Sequence, residues 1–204
     1  MSKDWKGNTQ SVMATLNASN HSEAERAEWD YYATPELAVT ELLRVEHFDK
    51  AVPIWEPAAG EKAISNILER EGYTVISSDI INRDCGVHEI DFFSCNQKWK
   101  GNIITNPPFA KATEFIEHAL SLIEDGRKVA FLLRIQFLEG VRRRKLFAEN
   151  PPIRIWVSTR TLRCAKNGDF VNATGNASTY AWFVWEKGFK GSPSIGWFND
   201  KGII

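Results

Sequence analysis

The chain has 204 residues, 43% hydrophobic and 25% charged, with a formal net charge of −1. The length suits one domain of ordinary size and the fractions lie near the globular average, which excludes a wholly disordered chain and a fibrous repeat. No run approaches the roughly 18 apolar residues of a helical membrane span, no apolar segment follows the charged N-terminus MSKDWKGNTQ, and the three cysteines are scattered; the expectation is a cytoplasmic protein in a reduced setting.

Residues 1–28 are polar and read as an N-terminal arm preceding a single domain over 29–204. From Pro35 to Phe48, Leu37, Ala38, Leu42, Leu43 and Val45 recur at helical spacing, with Thr34 and Pro35 as cap and first turn. Short apolar runs then alternate with amphipathic segments. Val52–Trp55 reads as a strand, Ala63–Arg70 as a helix, Thr74–Ser77 as a strand and His88–Ile90 as a short strand. Asn102–Thr105 follows as a strand, Ala112–Ile123 as a helix and Lys128–Leu133 as a strand. Val141–Phe147 looks helical, and Arg154–Ser158 and Tyr180–Glu186 look like strands, with a long polar loop over Thr161–Thr179 between them. This alternation predicts a parallel sheet covered on both faces. Ligands of such sheets bind at the carboxyl ends of the strands.

The unusual residues sit at those ends. Trp55-Glu56-Pro57-Ala58-Ala59-Gly60 closes the first strand with a glycine at a strand-to-helix turn, suited to close backbone approach by a ligand. It is not the dinucleotide fingerprint, because G-x-G-x-x-G is absent. Asp79 ends the second strand about 20 residues later, placed to accept from ribose hydroxyls. Asp91-Phe92-Phe93 offers a carboxylate beside aromatic rings after the third strand. Asn106-Pro107-Pro108-Phe109 leaves the fourth strand: two prolines stiffen the loop and remove two donors, Asn106 adds an amide oxygen, and Phe109 adds a flat apolar face. Such a loop accepts hydrogen bonds from an amino group on a planar ring. Cys85, His88 and Cys95 lack paired Cys-x-x-Cys spacing and a fourth ligand, so no metal is expected.

On these residues the chain resembles S-adenosylmethionine-dependent amino-methyltransferases of the N6-adenine type, and among them the small DNA adenine methyltransferases of bacteriophages and prophages. The resemblance runs from about Asp30 to the C-terminus and includes Asp30–Pro35, Leu133-Arg134, Phe137–Gly140 and Tyr180–Glu186. It implies an α/β, Rossmann-like class I methyltransferase fold: a mostly parallel seven-stranded sheet with a final antiparallel strand and helices on both faces. It also implies S-adenosylmethionine as cofactor and duplex DNA with a flipped adenine as partner. By this resemblance Tyr32, Thr34, Glu56, Pro57, Ala58 and Gly60 contact the methionine part. Asp79 takes the ribose with Ile80 beside it, and Asp91 with Phe92 takes the adenine. Asn106, Pro107, Pro108 and Phe109 form the catalytic loop, and Asn106 also borders the cofactor. The chain departs from the family pattern at Lys62, where a second glycine is common; a lysine adopts positive φ at a cost.

Between Arg134 and Lys166 there are nine basic and two acidic residues, a local charge of +7 inside a chain of net −1. Arg134, Arg142, Arg143, Arg144, Lys145, Arg160, Arg163 and Lys166 are therefore candidate phosphate contacts. The Thr161–Thr179 loop is the candidate base reader, with Phe137–Asn150 as the other place for it. Only about 46 residues separate Gly60 from Asn106, too few to hold an inserted recognition domain. Two other readings stand beside DNA adenine methylation: methylation of RNA adenine, cytosine N4 or protein glutamine, and a non-catalytic decoy that binds cofactor or DNA.

Overall fold

The computed structural model describes residues 31–171 and 179–198. The arm over 1–28 and part of the long polar loop lie outside the described residues.

In chain order the elements are β1 (Tyr32–Ala33), α1 (Glu36–Val45), β2 (Ile54–Glu56), α2 (Ser65–Arg70), β3 (Val75–Asp79) and β4 (His88–Glu89). Then come β5 (Asn102–Thr105), α3 (Ala112–Leu122), β6 (Lys128–Arg134), α4 (Arg144–Glu149), β7 (Arg154–Ser158), β8 (Ala165–Lys166), β9 (Tyr180–Glu186) and β10 (Ser194–Phe198). Eight of the strands form one sheet in the order β10-β7-β9-β6-β5-β2-β3-β4. All its pairings are parallel except those of β9, which runs antiparallel to β6 and β7. The expected α/β class holds, with two differences. The sheet has eight strands rather than seven, and the antiparallel strand is followed by β10, parallel to β7 at the edge. Ser194-Ile195-Gly196-Trp197-Phe198 buries only Phe198, so it gave little period-two signal. Gly196 is required there, because a Cβ would collide with the Trp156 ring.

Two apolar layers follow from the two-residue period of the strands. Ile54, Ile104, Ala130, Leu132, Trp182 and Val184 point to the face covered by α1 and α2, where Ala38, Leu42, Ile67 and Leu68 are buried. Ile103, Val129, Phe131, Phe183 and Trp185 point to the opposite face, covered by α3 through Phe115, Ile116 and Ala119. Trp182 and Trp185 thus lie on opposite faces, and both are buried. Their indole N–H groups donate to the carbonyls of Ala38 (2.8 Å) and Asn150 (3.0 Å).

Three local details differ from the sequence reading. Pro35, not Thr34, is the residue before α1, with φ −66° and ψ 144° and no side-chain cap bond, while Thr34 is buried one position earlier. The 141–147 helix is a 3-10 turn over Val141–Arg143 followed by α4. The long polar loop carries β8, which pairs antiparallel with β1, matching Tyr32 with Lys166 and Ala33 with Ala165. No helix among the described residues is long and apolar enough to cross a membrane.

Candidate active site

The neighbours of β2 are β3 on one side and β5 on the other, so the winding direction reverses between β2 and β5. A cleft opens at the carboxyl ends there. Tyr31, Tyr32, Asp79, Ile80, Arg83 and Asn106 are among the residues that line it.

The first loop turns at Gly60, whose φ is +53°. Two facts demand glycine: the positive φ, and the Tyr31 ring, which lies where a Cβ would stand. The second fact was absent from the sequence reading. Tyr31 Oη also accepts from Glu61 N (3.3 Å), and burial pushes its phenol up to about 12. Lys62 adopts a positive φ of +65°, and its ammonium pairs with Glu69 (3.1 Å). Pro57 is buried and Ala58 half-buried at the start of this loop.

Glu56, at the end of β2, is 2% exposed, and among the described residues no cation is bonded to it. Its Oε2 accepts from the Ser65 backbone N–H (2.8 Å) and from the Ser65 hydroxyl. Ser77 donates in turn to Ser65 Oγ (2.6 Å). Desolvation dominates, and with a lesser push from the Asp79 charge it raises the carboxyl to about 8, against the Ser65 hydrogen bonds that hold it lower.

Asp79 closes β3 and organises the cleft. Its Oδ2 accepts from Gly60 N (2.8 Å), tying the two loops together, and its Oδ1 accepts from Ile81 N (2.9 Å) and Arg83 Nη1 (3.0 Å). A carboxylate offers about four lone-pair sites, so three are in use and one remains for a hydroxyl. Arg83 also lies over the Tyr31 ring, 4.6 Å from its centroid. The sequence reading missed Arg83, because nothing in its local pattern distinguishes it from a surface arginine. Ile80 is 55% exposed and gives the cleft an apolar surface. Asp91 is exposed, and its carboxylate accepts from Phe93 N (3.0 Å). Phe92, expected beside a cofactor adenine, is instead a core ring, 2% exposed and packed against Trp55, Phe115 and His118.

Asn106 follows β5. Its Nδ2 donates to the Tyr32 carbonyl (2.8 Å), which fixes the amide plane, while its Oδ1 is buried without a hydrogen-bond partner. Pro107 is buried and Pro108 half-buried. Phe109 stacks on Tyr32 with centroids 5.5 Å apart and planes 29° apart, and the Arg134 guanidinium lies 5.1 Å from its centroid. Phe109 is therefore a ring with neighbours already on it, not a bare platform. Thr34, one residue past β1, is buried.

The basic residues divide. Arg142, Arg144, Lys145, Arg160 and Arg163 are exposed, Lys145 at 3.9 Å from Glu149. Arg143 is engaged within its own loop. Its Nη1 donates to the carbonyls of Phe137 (2.8 Å) and Glu139 (2.5 Å), and its guanidinium lies 4.6 Å from the Phe137 ring centroid, so it holds its own loop together. Arg154 is removed from the local charge excess by an ion pair with Glu46. Arg134 belongs to the Phe109 cluster. Lys166 lies in β8. Among the described residues no group of three or more His, Cys, Asp or Glu is placed to hold a metal; Cys85 Sγ donates to the Gly60 carbonyl.

No family model and no curated protein matches the chain. Solved structures do match. A candidate class I S-adenosylmethionine-dependent methyltransferase from Listeria monocytogenes superposes with a TM-score of 0.54 at 14% identity, over 78% of this chain and 62% of that one. A candidate RNA methyltransferase from Pyrococcus horikoshii gives 0.59 at 15% identity, over 89% and 98%. The M protein of type I restriction enzyme EcoKI gives 0.53 at 17% identity, over 79% and 45%. This chain has the fold of class I S-adenosylmethionine-dependent methyltransferases. It spans less than two thirds of the Listeria protein and under half of the EcoKI protein.

Proposed function

We propose that this chain transfers a methyl group from S-adenosylmethionine to the N6 amine of adenine in DNA. The observation that carries the reading is Asn106: an amide locked through its nitrogen to Tyr32, with its acceptor oxygen buried and unmatched at the switch point of the sheet. A buried acceptor without a partner is costly, and an incoming N–H donor relieves it.

The donor set fits the cofactor. Glu56 and Asp79 are acids suited to a nucleoside with a cationic tail, Ile80 supplies an apolar surface and Asp91 an exposed carboxylate. Glu56 would hold the ammonium, Tyr32, Thr34, Pro57, Ala58 and Gly60 would border the methionine part, and Asp79 would accept a ribose hydroxyl at its remaining lone pair. When bound, the sulfonium supplies an activated methyl group. The target amine is a weak nucleophile because its lone pair is delocalised into the ring. Asn106 Oδ1 and the Pro107 carbonyl would accept its two N–H bonds, favour the pyramidal nitrogen and stabilise the positive charge that develops on it. In-line placement contributes by positioning. The base would leave the duplex to reach the loop. The exposed Arg142, Arg144, Lys145, Arg160 and Arg163, together with Lys166, would neutralise phosphates, and 161–179 would read bases.

The test is tritium transfer from labelled S-adenosylmethionine onto DNA, RNA and protein, followed by methylation-sensitive sequencing of plasmid DNA from cells expressing the chain. Label on N6 of adenine at a recurrent DNA site is the expected result. Label on RNA or protein alone overturns the DNA reading, and no label on any of them, with the cofactor bound, identifies a decoy.

A further inference from the structure

Three buried polar atoms without partners gather at the carboxyl ends of β5 and β6: Thr105 Oγ1, Asn106 Oδ1 and Arg134 Nε. Thr105 and Asn106 are consecutive, β5 and β6 are hydrogen-bonded neighbours, and Arg134 ends β6. The Arg134 guanidinium lies 5.1 Å from the Phe109 centroid, the ring that closes the Asn106 loop. A guanidinium nitrogen is a donor only, and an amide oxygen an acceptor only. The cluster is left with one unmatched acceptor, Asn106 Oδ1, and one unmatched donor, Arg134 Nε.

We propose that Arg134 is a specificity-determining residue of the target pocket, its Nε–H donating to a ring nitrogen of the same base whose amine Asn106 holds. The inference rests on the adenine reading and deepens it. Adenine presents an N6 amine flanked by N1 and N7, both acceptors. Uracil and thymine present a carbonyl where that amine stands, which leaves Asn106 Oδ1 facing a second acceptor. Arg134 is half-buried with Nε enclosed, unlike the exposed Arg142 and Arg144, and it lies against the Phe109 ring next to the Asn106 loop. Its partial burial and its position on Phe109 separate it from the exposed arginines expected to contact phosphates.

The experiment uses the full chain and duplexes carrying its methylated site, with the target adenine replaced by 1-deazaadenine or 7-deazaadenine. Each analogue keeps the amine and deletes one acceptor. Wild type is expected to lose roughly tenfold to a hundredfold in kcat/KM on one of the two, the effect of one hydrogen bond to a charged group. Arg134→Lys, which keeps a charge but has no Nε, and Arg134→Met, which keeps the stem, should be slower on adenine and show no further loss on that analogue. Wild type acting on both analogues at the adenine rate overturns the proposal. So does a variant that keeps the analogue penalty, or one whose only change is a shallower salt dependence of binding, which identifies a phosphate contact. A thermal unfolding midpoint within a few degrees of wild type certifies each variant. If neither folds, the wild-type analogue series decides alone: a penalty on one analogue supports the proposal and none overturns it. Failure of the adenine reading is seen separately, as absence of label on adenine before any analogue is made.

Discussion

Two glutamates, each 2% exposed, sit at opposite ends of the same sheet and are treated in opposite ways. Glu46, at the amino ends of β6 and β7, receives Lys128 Nζ (2.6 Å), Arg154 Nη2 (2.6 Å) and Trp156 Nε1 (3.0 Å). Burial alone would raise its carboxyl, but the hydrogen bonds from Arg154, Lys128 and Trp156 outweigh that and hold it lowered. Glu56, at the carboxyl end of β2, has hydroxyl and backbone donors but no ion pair, and its carboxyl is raised to about 8. The first acid closes its charge within the fold. The second is kept in a state that an external cation would change. The unpartnered Asn106 Oδ1 and Arg134 Nε lie at the same carboxyl edge as Glu56. Among the described residues one end of the sheet is satisfied and serves stability, and the other holds polar atoms without partners.

The largest way to sharpen that contrast is Asn106→Ala. Transfer should fall by about 10²–10³-fold, the usual loss for one electrostatic stabiliser, while calorimetric affinity for the cofactor stays nearly unchanged. Retention of more than about a tenth of the rate would sink the role of Asn106. At the other end, Glu46→Gln leaves Lys128 and Arg154 without their carboxylate. The expected destabilisation is about 3 kcal/mol, the lower end for a broken buried pair because both cations are partly exposed. That corresponds to roughly 6–12 °C in the unfolding midpoint of a chain this size, with no change in cofactor affinity. The contribution of Glu46 is complete above the ordinary carboxyl value of 4.5 and is lost as pH falls below it.

Glu56→Gln should act with the opposite pH sign. The folded carboxyl keeps its proton up to about pH 8 while the unfolded one releases it near 4.5, so raising pH through that window favours unfolding. The variant should flatten that part of the stability curve, read from unfolding midpoints at pH 5 to 8. Cofactor uptake by wild type should release a proton near pH 7, seen as a binding enthalpy that depends on the ionisation enthalpy of the buffer. The same dependence persisting in the variant would assign the proton elsewhere. The smallest effect is expected on the surface. Arg142→Gln with Arg144→Gln should lower DNA affinity for all sequences alike and reduce the slope of log K against log salt by roughly 0.9 per lost contact. Arg143→Gln should instead lower the unfolding midpoint, because its partners are carbonyls of its own loop. Equal effects from the three arginines would contradict that division.

Local patterns determined a good part of this protein. Alternating apolar runs located β2, β3, β5, β6, β7 and β9, because strands buried on two faces are short continuous apolar runs. Punctuation by Gly60 and by Pro107-Pro108 marked the loops at their carboxyl ends, because those residues restrict or release the backbone whatever surrounds them. Tertiary structure decided what composition averages over. It removed Arg143 and Arg154 from the basic face by giving them intramolecular acceptors, and it moved the Phe92 ring into the core. It set β1 against β8 and β10 beside β7, pairings between segments too short or too exposed to carry a period. It brought Tyr31, Gly60, Asp79 and Arg83 into one cluster across 52 positions of chain. Most of all, it made two glutamates of one residue type into a stable ion-pair centre and a raised, unpaired acid. A side chain's charge state depends on which partners and how much water surround it, and only the folded chain supplies those.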